Sequence, residues 1–377
     1  MSESVEQTNL FICETSLHVA EATSIVEQDF EDSRNILIVT NSPRVSDMDT
    51  ESLGRVYDRH FIANYKLNIS NKEIPFVPES VKMGLNKALT YISLLLMVLA
   101  LACMSLLVQD LNIFFSTQSP ILNNGLAWIR NHGWAQLYHF EVGIGLYMQG
   151  GLKDRGRLSE VLFPLTLESL LSDGIIDGVY CMRPDDLSTV YPNVVTKEIN
   201  FYAHNELLTA LFESDFHIDR LSNRYPLFVL VTQPLVENDY ISAQAYREKT
   251  EAIITALGKT HHVIVKPHPG EDTMRYVDMD VTVLHEADYP VELLIWSLLG
   301  RDDVPEISVG STGLSTALSN LAAVPVKKHS FIEYYELDEM DKKMRQYYSN
   351  CSIEYVSEPK ALFGVHERSD SESESNA

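Results

Sequence analysis

Apolar residues along the chain fall into short continuous runs separated by longer amphipathic stretches. Asn9–Cys13 (NLFIC) is one such run, and SLHVAEATSIVEQ after it reads as a helix. Asn35–Thr40 (NILIVT) is a second strand, closed by Asn41-Ser42-Pro43, a turn signal. Asn112–Ser116, Gln136–Phe140 and Gly178–Met182 repeat the pattern, the last closed by Arg183-Pro184. A helix-like, then polar region follows at Asn205–Asn223, and then the alternation restarts. Strands are predicted at Leu227–Thr232, His262–Lys266, Val281–Leu284 and Glu306–Val309, with helices at Ala243–Leu257, Pro290–Leu299 and Leu314–Ala322. Near-continuous apolar strands alternating with helices predict doubly wound parallel sheets. The restart predicts two Rossmann-like α/β domains facing a cleft, residues 1–222 and 223–366. The closing segment 367–377 (ERSDSESESNA) reads as a disordered acidic tail.

One run does not fit this pattern. No residue from Ala88 to Gln109 is charged, and ALTYISLLLMVLALACMSLLV is long enough to span a bilayer. A span here would cut an α/β domain in two. The favoured expectation is a buried or membrane-apposed helix, with monotopic insertion and a true span as alternatives.

Composition narrows the partners. The 377 residues carry 53 acidic against 29 basic side chains, a net charge of −24, which disfavours nucleic acid and anionic lipid. At 45% hydrophobic the chain can bury a full core, which excludes a disulfide-stapled mini-protein. Cys13, Cys103, Cys181 and Cys351 are scattered, with no C-x-x-C spacing, and are expected to be buried free thiols in a reducing compartment. MSESVEQTN has no basic start followed by an apolar core, so a cytoplasmic location is expected, with membrane association on that face through 88–109.

Five places carry candidate chemistry. Lys266-Pro267-His268-Pro269-Gly270 follows a strand, and its prolines aim His268 away from the strand end, where it can donate to a leaving phosphate. Glu292, in YPVELLIW, opens a helix; it either complements the helix dipole or accepts the two hydroxyls of a ribose. In VGSTGLSTA a strand runs into a small-residue turn, and hydroxyls with free N–H groups there make an anion site. Ser311-Thr312 is favoured over Ser315-Thr316, which suits a helix cap. Tyr138–Gly145 ends a strand on Glu141, a candidate general base. Glu14-Thr15-Ser16-Leu17-His18, after the first strand, is a weaker signal of a cleft lining. Asp47-Met48-Asp49 and Asp278-Met279-Asp280 read as chance in an acidic chain, and no cluster has structural-metal spacing, so no metal or other cofactor is expected.

Together these motifs resemble the inverting bacterial sialyltransferases, the lipooligosaccharide sialyltransferase family and the related polysialyltransferases. NLFICETSLHVA resembles their first strand and loop, FEVGIGLY their acidic-acidic-glycine motif, and KPHPG their His-Pro motif. GST, or less closely LST, resembles their Ser-Ser/Thr motif, and YPVELLIW the segment with their ribose-binding glutamate. The motifs stand in family order over Asn9–Pro325. The resemblance implies the paired-Rossmann architecture called GT-B. It also implies a donor that is a sialic or related nonulosonic acid activated by cytidine monophosphate (CMP), and a glycan or lipid-linked glycan acceptor. Glu141 would be the base and His268 would assist CMP departure. Ser311-Thr312 would hold the phosphate and Glu292 the ribose, with Lys266, Pro269, Gly270, Ser315 and Thr316 around the donor. Val142 stands where the family's second acid would be. Two alternatives are a cytidine-diphosphate-alcohol phosphotransferase of wall-polymer type and an inactive GT-B scaffold.

Overall fold

A computed structural model describes residues 7–40, 50–63, 79–116, 119–140, 146, 164–200, 226–279, 281–284, 289–299, 304, 306–313, 315–322, 324–337 and 351–363. The chain divides into two compact units, Met1–His217 and Ile218–Ala377. Glu141–Gly145, Asp47–Asp49, Asn205–Asn223, Asp280 and the tail 367–377 lie outside the described residues.

The first unit runs β1 (Thr8–Cys13), α1 (Ser16–Asp29), β2 (Arg34–Thr40), α2 (Thr50–Val56), β3 (Arg59–Ala63), α3 (Glu79–Leu107), β4 (Leu111–Phe115), α4 (Pro120–Asn131), β5 (Gln136–Phe140), α5 (Leu167–Ser172), β6 (Gly178–Cys181), α6 (Pro184–Val190) and β7 (Thr196–Glu198). Its parallel sheet has the order β3-β2-β1-β4-β5-β6-β7. Three central strands each carry a buried asparagine in register, Asn35–Asn9–Asn112. Asn9 Nδ2 donates to Asn35 Oδ1 (3.0 Å) and Asn112 Nδ2 to Asn9 Oδ1 (2.9 Å). A one-residue slip would leave these buried amides unpaired, so the ladder opposes misregister. Two residues on, Phe11, Phe114 and Tyr138 stack across β1, β4 and β5 with centroids 4.5 and 4.8 Å apart.

The second unit runs β8 (Leu227–Val231), α7 (Ala243–Leu257), β9 (His262–Lys266), a 3-10 turn (Thr273–Tyr276), β10 (Thr282–Val283), α8 (Val291–Leu299), β11 (Ile307–Ser311), α9 (Thr316–Asn320), β12 (Lys327–Ser330) and β13 (Ile353–Tyr355). Its parallel sheet has the order β10-β9-β8-β11-β12-β13. Each sheet therefore winds outward in both directions from its first strand, which is the doubly wound, Rossmann-like order. The strand order reverses between β1 and β4, and again between β8 and β11. Ligands of open α/β sheets sit beyond the carboxyl ends of such strand pairs.

Several predicted elements shift by a residue or two, and short polar strands escape the sequence pattern altogether. β12 reads KKHS yet is a buried interior strand. Lys328 is accommodated because its ammonium donates to the carbonyls of Ala322, Val324 and Val326.

The apolar segment forms most of α3. Leu89–Leu107 is long and apolar enough to cross a membrane, and only 22% of that window is buried. One face packs on α4, where a Cβ on Gly125 would lie 2.5 Å from the Val98 methyls; glycine permits that approach. The opposite face exposes Ile92, Leu95, Leu96, Leu99, Leu106 and Leu107. The helix is thus apposed to the fold along one side rather than buried in it. Cys103 lies exposed on it, contrary to the expectation of four buried thiols; Cys13, Cys181 and Cys351 are buried, and all four are free.

Candidate functional site

In the second unit the sequence candidates gather around the carboxyl ends of β8, β9 and β11. β9 delivers Lys266, which is 4% exposed, and the chain then turns through His268-Pro269-Gly270-Glu271. Proline at the second position suits this turn. Glu271 N–H donates to the His268 carbonyl (3.0 Å), and His268 N–H donates back to Glu271 Oε2 (2.7 Å). The His268 ring stays exposed, and Gly270 N–H donates to its Nδ1 (3.0 Å). Nδ1 is therefore an acceptor, and the proton of the neutral ring lies on Nε2. Desolvation by the loop, reinforced by the Lys266 ammonium and opposed by Glu237, lowers the His268 pKa from its usual value.

Glu292 lies in the first turn of α8 and is 3% exposed. Burial raises its pKa, against the pull of a backbone hydrogen bond, of Asn320 and of the Lys266 charge. Asn320 Nδ2, from the end of α9, donates to Glu292 Oε1 (2.8 Å). Asn320 Oδ1 is buried without a hydrogen-bond partner. Lys266 thus acts electrostatically on both His268 and Glu292.

Ser311 ends β11, and Thr312 follows; both are fully buried. Thr312 N–H donates to the Val231 carbonyl (3.1 Å), and Gln233 N–H donates to Thr312 Oγ1 (3.1 Å). Ser311 Oγ donates to the Gly313 carbonyl (3.1 Å). The pair therefore ties β11 to β8 at the point where the strand order reverses. Ser315 is the N-cap residue of α9, but its hydroxyl makes no cap bond, so the capping expectation for it fails. Thr316 opens that helix.

In the first unit the equivalent point holds a pair that the sequence marked only weakly. Ser116, just past β4, lies with Oγ 2.7 Å from His18 Nδ1. Glu14 N–H donates to the same nitrogen (3.2 Å), so Nδ1 accepts from both and the neutral ring carries its proton on Nε2. Burial takes the His18 pKa down to about 3. His139 in β5 is fully buried, its ring nitrogens make no hydrogen bond of normal geometry, and burial with the His18 charge takes it to about 3. β5 ends at Phe140, one residue before Glu141.

Sequence reasoning missed Glu271, Thr232 and Asn320. Only the first left a signal: an acid three residues after His268 in a Pro-Gly turn can close that turn from its side chain. Among the described residues no group of three or more His, Cys, Asp or Glu side chains is arranged to hold a metal ion.

The alpha-2,8-polysialyltransferase (POLYST) family matches residues 9–297. No curated protein matches the sequence. Among solved structures, a UDP-GlcNAc 2-epimerase from Neisseria meningitidis bound to UDP-GlcNAc is 10% identical, covering 95% of this chain and 91% of its own, with a TM-score of 0.53. A Phytolacca americana UGT2 complexed with UDP-2fluoro-glucose and pterostilbene is 10% identical, covering 96% and 89%, with a TM-score of 0.52. The wall teichoic acid polymerase TagF is 11% identical, covering 95% and 78%, with a TM-score of 0.51. At such identities the likeness is one of fold, the two-Rossmann GT-B architecture.

Proposed function

We propose that this chain, which belongs to the alpha-2,8-polysialyltransferase family, is an inverting glycosyltransferase that uses a CMP-activated nonulosonic acid. The observation that carries the reading is the gathering of Lys266, His268, Glu292, Ser311 and Thr312 at one carboxyl edge of the second sheet, at its strand-order reversal. A monophosphate leaving group fits this set. Hydroxyls, backbone N–H groups, one imidazole and one lysine can neutralise it.

In the reaction, the acceptor hydroxyl oxygen attacks the anomeric carbon of the sugar acid. The bond from that carbon to the CMP phosphate oxygen breaks as the new glycosidic bond forms. The hydroxyl proton passes to Glu141, and the electron pair leaves with CMP. His268 Nε2–H and the Ser311-Thr312 turn receive the charge that develops on the phosphate. Glu292 accepts the ribose hydroxyls, and Asn320 holds its carboxylate. Inversion needs base and leaving group on opposite faces of the sugar. Glu141 and His268 are carried by different units of the chain.

The acceptor is a glycan or lipid-linked glycan, and the exposed apolar face of α3 is the membrane contact. Its leucines supply apolar area without basic residues, as suits a chain of net charge −24.

The deciding experiment is calorimetric titration with CMP, CDP and UDP in the presence of EDTA. Metal-independent binding that prefers CMP supports the reading. Preference for UDP, or binding only with metal, overturns the donor assignment, and no binding to any of the three favours an inactive scaffold.

A further inference from the structure

The His268 turn is held from beneath by a carboxylate that takes no part in the reaction described above. The Glu271 side chain is fully buried. Its Oε2 accepts from Thr232 Oγ1 (2.5 Å) and from His268 N–H (2.7 Å). Its Oε1 lies within hydrogen-bond reach of the hydroxyls of Tyr276 (3.0 Å) and Tyr246 (3.2 Å), with Arg275 Nη1 at 4.0 Å. These groups come from four places: the end of β8, the helix α7, the 3-10 turn and the His268 turn itself. Burial raises the Glu271 pKa, and bonds from Thr232, His268 N–H and Tyr276, with the Arg275 charge, oppose that rise.

A carboxylate buried this deeply needs its donors. Thr232 is fully buried at the point where the strand order of the second sheet reverses. Its neighbour Gln233 donates through its N–H to Thr312. The carboxylate therefore links the His268 backbone, through two residues, to the turn that carries Ser311 and Thr312. Gly270, inside the same turn, sets the imidazole by donating to Nδ1.

We propose that Glu271 is a positioning residue: its buried carboxylate clamps the His268 turn onto Thr232, so that His268 meets the leaving phosphate as a neutral ring with its proton on Nε2. The role deepens the transfer reaction proposed above and rests on it. Glu271 touches neither donor nor acceptor. Its effect is geometric, on a hydrogen bond that strengthens as the phosphate departs. Displacing such a donor by about 1 Å costs on the order of 10²-fold in rate while ground-state binding changes little.

Two variants test it. In Glu271→Gln an amide replaces a carboxylate that faces donors on both oxygens, so one side meets donor against donor. Thr232→Val removes one donor at constant shape and keeps the test open if the first variant does not fold. The spectroscopic readout is the long-range ¹H–¹⁵N spectrum of ¹⁵N-histidine-labelled full-length protein, with the His268 signals assigned by their loss in His268→Gln. The wild type is expected to show His268 protonated on Nε2 alone, and both variants a mixture of tautomers. With CMP-N-acetylneuraminic acid as donor, kcat is expected to fall about 10- to 100-fold and the donor KM to move by less than about threefold. Folded variants with wild-type His268 signals and wild-type kcat overturn the proposal. Because the spectrum needs no turnover, failure of the donor assignment leaves this test intact.

Discussion

Asn320 Nδ2 lies 2.8 Å from Glu292 Oε1, and both side chains are nearly inaccessible to solvent. The bond joins the end of α9 to the first turn of α8 and orients a carboxylate whose pKa is raised by burial. The remaining acceptor, Asn320 Oδ1, is buried and unpartnered beside it. A hydrogen bond to a charged group contributes about 1.5–3 kcal/mol. Asn320→Ala is therefore expected to weaken CMP binding about 10- to 100-fold. It is also expected to reduce discrimination against 2′-deoxy-CMP. Calorimetry with both nucleotides checks this, and unchanged preference would remove the ribose from this corner of the fold.

Glu141→Gln is expected to keep CMP binding and to lose at least about 10²-fold in transfer rate, as removal of a general base does. Turnover near that of the wild type would refute the assignment of Glu141 as base.

Gly310 sits inside β11, and a Cβ there would lie 2.7–2.8 Å from ring atoms of Phe228 and Phe331. Both rings are buried in the core of the second unit. Gly310→Ala is expected to destabilise the second unit by about 1–3 kcal/mol, the usual cost of overpacking. Urea denaturation reads the shift, and a midpoint equal to wild type would show that the rings relax freely.

His18 and His139 both titrate at about 3 in the folded first unit, down from 6.5. The unfolded chain protonates them below about pH 6.5, so from there down to about 3 it binds more protons than the folded state. Stability is full above that window and falls as pH drops through it. Each histidine adds a slope of about 1.4 kcal/mol per pH unit. His139→Leu is expected to flatten the stability curve by that amount between about pH 6 and 4. An unchanged slope would mean that His139 is already protonated in the fold.

The α3 face predicts cosedimentation with neutral phosphatidylcholine vesicles, lost in the double variant Leu99→Asp, Leu106→Asp without change in thermal stability. Failure of the wild type to bind such vesicles would withdraw the membrane contact.

Much of this protein is legible in one dimension. Runs such as LFVLV and HVIVK are apolar because strands buried on both faces have no solvent side, and that property is local. Their alternation with helical stretches was enough to predict two doubly wound domains, and ligand chemistry at strand ends follows from that topology. The His-Pro turn and Glu292 were visible for the same reason: each lies within a few residues of a recognisable element boundary. Short polar strands were not legible. KKHS becomes a buried strand only because three carbonyls from the preceding loop receive Lys328. Which face of α3 is covered was likewise undecided, since its apolar residues run all round; packing that buries Leu94, Leu101 and Ala102, with Gly125 close against Val98, selects one side. Nor could the sequence pair Glu271 with Thr232, 39 positions away, or Asn320 with Glu292, 28 away. Hydrogen bonds between side chains far apart in sequence leave no periodic trace. Sheet order brings their partners together, and burial then makes the pairing obligatory.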